Sequence, residues 1–309
     1  MQRINRFSSL AVCLGAIGLI PAITVPAITS TTVAASAPTV FHLARHTAAV
    51  TAAGKAGTHT ATAWTASNWS GYALPTGTYT GVSGTWTVPS VAASTSATYS
   101  SAWIGVDGYS NSSLIQTGTE EDYYSGAAHY NAWWEILPAP ETAISTTTYP
   151  VAPGDRMTAS IYETSTTVTV KKKVEHNWII KLADTTKGWS FTTTQAYVGG
   201  STATATSGQG TSAEWILEAP QIGSKVATLA HYTVTPPTGL GDFDNAGVLT
   251  TVPATGTTPT FTGAGLNFAA DSGAMVQGGT TVSSPGNPDT PLTAFNMAYG
   301  PTAPATPVG

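Results

Sequence analysis

Cysteine is nearly absent: Cys13, inside an apolar N-terminal run, is the one thiol in 309 residues. The body of the chain therefore has no disulfide, no thiol nucleophile and no cysteine-type zinc site. Charge is scarce too. Asp, Glu, Lys and Arg make up 9% of the residues, but nine Trp and twelve Tyr supply enough bulky apolar surface to argue against disorder. Hydroxyls rather than ions cover such a surface. It loses few ion pairs on protonation, which suits an acidic exterior. Acids are missing altogether from residues 1–64, where Arg3, Arg6, Arg45 and Lys55 stand alone; beyond them, seven bases against sixteen acids leave a net −9. A body of that sign is a poor phosphate binder, so no nucleic acid is expected as a partner. No glycine-rich loop follows a strand and opens a helix, and no cofactor is expected. A Gly-x-Ser-x-Gly elbow and a repeat of fixed period are also lacking.

Three stretches account for the chain. Arg3 and Arg6, the apolar run from Leu10 to Ile20 and the small residues up to Ala37 form a secretory signal over 1–37, cleaved between 27 and 37. Pro21 and Pro26 break the run short of membrane-spanning length. A secreted, extracellular monomer without a membrane partner in its mature form is expected. Residues 38–65 carry three of the six histidines and two bases without an acid; they read as a basic pro-segment matched to the acidic body, a plain linker being the alternative. Residues 66–309 form the third stretch.

In that body, short runs rich in Val, Ile, Thr, Tyr and Trp alternate with Gly, Pro, Asn and Ser, from 81–90 through 156–164, 166–184, 188–198, 213–219, 227–235 and 292–300. This pattern predicts an all-β sandwich of antiparallel sheets. Residues 236–288 read as loop-heavy, and the last eight residues are expected to fray. Residues two apart share a face of a strand. Trp103 with Asp107, Gln116 with Glu120, Asn131 with Trp133 and Glu135, and Glu214 with Glu218 thus fall on one polar face. Ile104, Val106, Ile115, Ala132, Trp134, Ala213, Trp215 and Leu217 fall on the other, as core. A sheet face of carboxylates, an amide and tryptophans makes a binding groove.

Chemistry can come from several of these groups. Gln116 with Glu214 could activate water for acyl transfer: a carboxyl group serves as base and then acid, and an amide N–H stabilises an oxyanion. Glu120 or Glu135 with Glu214 could instead be two glycosidase carboxylates. A non-catalytic wall module that stacks sugars on Trp103 and Trp133 is a third reading. His129, His176 and His231 show no metal-ligand spacing; Lys171–Lys173 read as edge-strand protection. Asn68-Trp-Ser and Asn111-Ser-Ser are formal glycosylation sequons.

Six blocks, in order, resemble the glutamic peptidases, or eqolisins: Ser67-Asn-Trp-Ser-Gly, Thr85-Trp-Thr-Val-Pro-Ser, Ala102-Trp-Ile-Gly-Val-Asp-Gly, Ile115-Gln-Thr-Gly-Thr-Glu, Asn131-Ala-Trp-Trp-Glu and Ala213-Glu-Trp-Ile. The resemblance implies a lectin-like (concanavalin-type) β-sandwich of two large antiparallel sheets with its groove on the concave sheet. It further implies a secreted acid endopeptidase acting on protein or peptide substrates, with its own pro-segment as inhibitor. Gln116 and Glu214 match the catalytic pair. Trp69, Trp103, Asp107, Glu120, Trp133 and Glu135 match residues that line the cleft, and Asn131 stands where the family tends to have Asp.

Overall fold

The structure is a computed structural model that describes residues 44–51, 62–168, 174–198 and 210–308. The signal stretch with Cys13, most of the basic segment and Lys171–Lys173 lie outside the described residues. A large sheet runs in the order Met297–Tyr299, Thr280–Pro285, Ser272–Gln277, Trp69–Leu74, Ala213–Glu218, Ser101–Val106, Ile115–Tyr124, Ala127–Ile136, Thr142–Ala143. A smaller sheet runs Trp189–Val198, Val174–Asp184, Arg156–Val168, Gly81–Thr87, Phe243–Leu249, Thr262–Gly263. All pairings within the sheets are antiparallel except Trp64–Ala66, which adds to Ser272–Gln277 in parallel. Among the described residues the one helix is Phe268–Asp271. The expected all-β sandwich of two large sheets is the observed fold.

Alternation creates the core. Ile104, Val106, Ile115, Ala132, Trp215 and Leu217 from the large sheet pack against Val82, Trp86, Ile161, Trp178, Ile180 and Leu182 from the smaller one. Two tryptophans lace the layers together in opposite directions. Trp215 Nε1 donates to the Ser83 carbonyl at 2.8 Å, and Trp86 Nε1 donates to Thr119 Oγ1 at 2.9 Å. Both indoles are fully buried with their N–H groups satisfied, as a buried tryptophan requires.

Three expectations need correction. The run 166–184 is not one strand: the chain reverses between Val168 and Val174, and the two strands pair antiparallel. Alternation continues across that reversal with no Gly or Pro to mark it. Residues 236–288 are loop-heavy, as expected, yet they also supply the strands Phe243–Leu249, Ser272–Gln277 and Thr280–Pro285. Small Gly, Ser and Thr side chains hide strands whose packing comes from neighbours rather than from their own bulk. The stretch 227–235 yields only the two-residue strand Tyr232–Thr233. The C-terminal tail is tied down as far as Ala305, whose carbonyl accepts from Asn296 Nδ2 at 2.8 Å; Pro307 is buried, whereas Thr302, Ala305, Thr306 and Val308 are exposed.

Candidate active site

The register of the large sheet sorts its outer face into rows. One row runs Glu135, Gln116, Gly105, Glu214, Ala73 across five strands, and a second runs Asn131, Glu120, Ser101, Glu218, Trp69. Between them lies Trp133, Gly118, Trp103, Ile216, Gly71. All these residues are buried. Gln116 and Glu214 flank the strand of Gly105, so their backbones stand about 10 Å apart at two strand spacings. No side chain rises from Gly105 to fill that gap. A Cβ there would meet the Trp103 ring at 2.8 Å.

Trp69, Trp103 and Trp133 belong to a small apolar cluster with Leu114, Leu137 and Ile216, separate from the main core. Trp69 meets Trp103 edge to face, with centroids 4.9 Å apart. Trp103 Nε1 donates to Glu218 Oε2 at 2.9 Å, and Trp133 Nε1 donates to Ser101 Oγ at 3.1 Å. Gln116 Nε2 donates to Glu135 Oε2 at 2.9 Å. An amide nitrogen carries two hydrogens, so one remains for another acceptor. Neither carboxylate oxygen of Glu214, nor Gln116 Oε1, has a hydrogen-bond partner among the described residues.

Burial dominates the electrostatics. It pushes the Glu214 carboxyl well above its ordinary range, opposed by the Ser212 hydroxyl and reinforced by the Asp107 carboxylate. Glu135 is raised to about 7, chiefly by burial, with His46 pulling it back and Glu218 pushing it up. Asp107 differs from the rest. Its Oδ1 accepts from Thr211 N at 2.9 Å, Thr211 Oγ1 at 3.0 Å and Asn111 Nδ2 at 3.0 Å, while Oδ2 accepts from Gly210 N at 3.1 Å. The carboxylate is thus committed to the residues that lead into the Glu214 strand.

Part of the basic segment lies across this face. Residues 44–51 run over it in extended form. Arg45 pairs with Gln221, Ala49 N donates to the Gly108 carbonyl, and Thr51 pairs with Ala66. Asn68, in the first sequence block, holds the segment: its Oδ1 accepts from Val50 N at 2.8 Å and its Nδ2 donates toward Thr47 and Ala48. A fully buried Asn68 with both amide atoms engaged is unavailable as a glycosylation acceptor. His46 is fully buried against Trp133, Glu120, Glu141 and Glu218. Burial lowers its pKa, but these carboxylates outweigh burial and raise it well above the ordinary value. Glu141 was not predicted, because it sits in the turn after Leu137-Pro138, outside any strand alternation. Among the described residues, the ligand atoms of His46, Glu120 and Glu141 form the one such group within 4.8 Å that could hold a metal ion. His129, paired with Asp122 one row beyond Asn131, stacks on Tyr124, and His176 pairs with Glu163 on the smaller sheet.

The profile of the Peptidase A4 family matches residues 67–283. Aspergillopepsin-2 of Aspergillus niger is 31% identical over 119 residues, 32% of this chain, and the match spans 42% of that relative's length. Two crystal structures of scytalido-glutamic peptidase, one with a transition state analog inhibitor and one with a peptide based transition state analog, share the fold. Their TM-scores are 0.53 and 0.51 at 20% and 22% identity, each over 75% of this chain and 98% of the other. With its two-sheet architecture and the family profile spanning the strands that carry Gln116 and Glu214, the chain belongs to the Peptidase A4 family, the glutamic peptidases.

Proposed function

We propose that this chain is the precursor of a secreted acid endopeptidase in which Glu214 and Gln116 activate water against a peptide carbonyl. The observation that carries this reading is the row Glu135, Gln116, Gly105, Glu214, with residues 44–51 laid against the neighbouring row at Glu120 and Glu218. Gly105, between an amide and a buried, unpartnered carboxyl, adds no side chain of its own; the Trp103 ring and Leu114 cover it in the closed chain and must give way to a carbonyl and a water. The Glu214 carboxylate takes a proton from water, and the resulting hydroxide bonds to the carbonyl carbon. The C=O electron pair moves onto oxygen, where the second N–H of Gln116 donates to it. Protonated Glu214 then delivers its proton to the departing amine as the C–N bond breaks, which restores the carboxylate.

Supporting roles follow from the contacts. Asp107 positions Glu214 by fixing Gly210 and Thr211, four and three residues before it in the chain. Glu135 orients Gln116. Because Glu135 is engaged by an amide in this way, it is less suited to be the second carboxylate of a glycosidase. Trp69, Trp103, Glu120 and Trp133 line the substrate cleft. Residues 38–65 act as a pro-segment, of which 44–51 cover that cleft at Trp133, Glu120 and Glu218. The basic start and apolar run of residues 1–37 support export.

Glu214 is fully buried in this chain, and burial holds its proton. A protonated carboxyl cannot serve as base, so the covered precursor is silent. Loss of the segment admits water, lowers the Glu214 pKa toward its ordinary value of ~4.3 and turns on an acid protease. The test is cleavage of a denatured protein and of a polysaccharide by the acid-treated chain. Protein alone is expected to be cut, with resistance to thiol, serine and chelating reagents and to pepstatin-type inhibitors. Polysaccharide cleavage, or loss of activity with a chelator, would contradict the reading.

A further inference from the structure

Residues 44–51 bring one histidine to the large sheet, where carboxylates meet both of its ring nitrogens. His46 Nδ1 lies 3.0 Å from Glu218 Oε2, an oxygen that already accepts from Trp103 Nε1 at 2.9 Å. A carboxylate only accepts, so Nδ1 carries the hydrogen, and in the neutral ring Nε2 presents its lone pair. That lone pair faces Glu120 Oε1 at 3.6 Å and Glu141 Oε2 at 3.8 Å, beyond hydrogen-bond length. His46 Nε2, Glu120 Oε1 and Glu141 Oε2 are all buried, and none has a hydrogen-bond partner among the described residues. The ring is held in this aim, because it lies flat against Trp133 with centroids 3.6 Å apart and planes 5° apart. Buried charged oxygens are normally paired or bound to a metal.

We propose that His46 of the covering segment, with Glu120 and Glu141 of the body, binds a divalent ion of the zinc class that clamps residues 44–51 to the large sheet. The three ligand atoms lie within 4.8 Å of one another. Two ligands about 2.0–2.2 Å from a tetrahedral ion stand about 3.3–3.6 Å apart, so these atoms need only small movements to close on one. The ion's two positive charges match two carboxylates. An imidazole nitrogen favours zinc over calcium and magnesium, which take oxygen. Glu218 supplies the outer support: a histidine that binds a metal through one nitrogen ordinarily donates through the other to a carboxylate. In the ion-free chain a proton sits on His46 instead, and the ion must displace it. His46 leaves with the segment, so the processed body keeps only the two carboxylates of the set. The clamp therefore belongs to the covered chain and takes no part in cleavage.

The test uses the full-length chain carrying Glu214→Gln, stripped of metal and titrated with zinc near neutral pH. Equilibrium dialysis is expected to find one zinc per chain whose binding needs His46 and Glu141. Glu218→Gln, which alters only the outer support, should weaken it by about tenfold. His46→Leu and Glu141→Gln each remove a ligand and should weaken it by more than about a hundredfold, beyond the range for an outer partner. Hydrogen exchange at Thr47 and Val50, whose amides donate to Glu218 and Asn68, reports how firmly the segment is docked. With free zinc at about a hundred times its Kd, exchange there should slow about a hundredfold, and it should not respond to zinc in either ligand variant. Glu141→Gln keeps the size of the side chain and the contact of His46 with Glu218, so it covers the case in which His46→Leu undocks the segment outright. Zinc that binds both variants as well as the parent would overturn the clamp. So would an absence of binding, or binding that leaves exchange at Thr47 and Val50 unchanged. None of these measurements uses turnover, so their outcome is independent of whether the groove cleaves peptides.

Discussion

Glu214 is a carboxylic acid enclosed by protein, and removing its proton there costs far more than in water. Its partner Gln116 cannot titrate, so the pair divides the work: one group moves the proton and the other bears the negative charge on the carbonyl oxygen. Replacing Gln116 by Ala should lower kcat by about 10²–10³ if it acts as a single oxyanion donor, measured on the acid-activated enzyme with a peptide substrate. Gln116→Glu should be no better, because a carboxylate in that place repels the developing oxyanion and crowds Glu135. Near wild-type turnover in either variant would favour two carboxylates as the working groups. The period-two reading of faces recovered the residues of this site: Gln116, Glu120, Glu135, Glu214 and Glu218 do share one surface of one sheet. Alternation could not show that Asp107 spends its oxygens on Gly210 and Thr211, since that depends on a loop about a hundred residues away. Glu141 was equally hidden, being placed by a turn.

The outer strands and the segment laid over them respond to different forces. Residues 44–51 add no regular strand; they are held by isolated backbone bridges at Arg45 and Thr51 and by side chains, with Asn68 and Glu218 each making several contacts. Asn68→Ala should therefore loosen the segment more than the sheet. The expected result is faster trypsin cleavage after Arg45 at neutral pH, with unchanged far-ultraviolet circular dichroism. The sandwich is held by buried area. Trp215 is fully buried, and its indole spans from the large sheet to Ser83; Trp215→Ala should cost about 3–5 kcal/mol in urea unfolding. Most strands were legible because Val, Ile and Trp alternate with Thr and Ser. The hairpin Ser272–Gln277 and Thr280–Pro285 was not, because Gly and Ser carry no pattern and only the tight turn at Gly278-Gly279, both at positive φ, marks it. The basic stretch was read as matched to the acidic body by its net charge. Its depth was not legible, for composition cannot tell a surface contact from an imidazole stacked on Trp133.

Across the whole molecule, buried carboxyls set the response to pH. Glu121, Asp122, Glu135, Glu141, Glu214 and Asp242 are all raised by burial above their ordinary values, Glu135 to about 7, Glu141 to about 9 and Asp242 to about 6. A raised folded-state pKa means that the folded chain holds protons the unfolded chain has released. Stability from these groups is complete below the ordinary carboxyl range and is lost as pH rises through the folded values, over about pH 4 to 9. His46 has the same sign, contributing fully below its ordinary 6.5 and less as pH passes its raised value. The melting temperature should therefore be higher at pH 4 than at pH 8, opposite to proteins whose carboxylates are stabilised as anions. A melting temperature that climbs from pH 4 to pH 8 would contradict this assignment. The same signs bear on activation. His46 stays protonated as pH falls, so the histidine itself is not the switch that acid throws.

The most direct measurement compares the full-length chain with its Glu214→Gln counterpart after a step from neutral to acid pH, following chain mass and cleavage of a denatured protein substrate together. The account predicts that the unaltered chain shortens at its N-terminal side and gains activity, while Glu214→Gln keeps its full mass, its β-sheet spectrum and no measurable turnover. Protein cleavage by Glu214→Gln at a rate close to that of the unaltered chain would contradict the account.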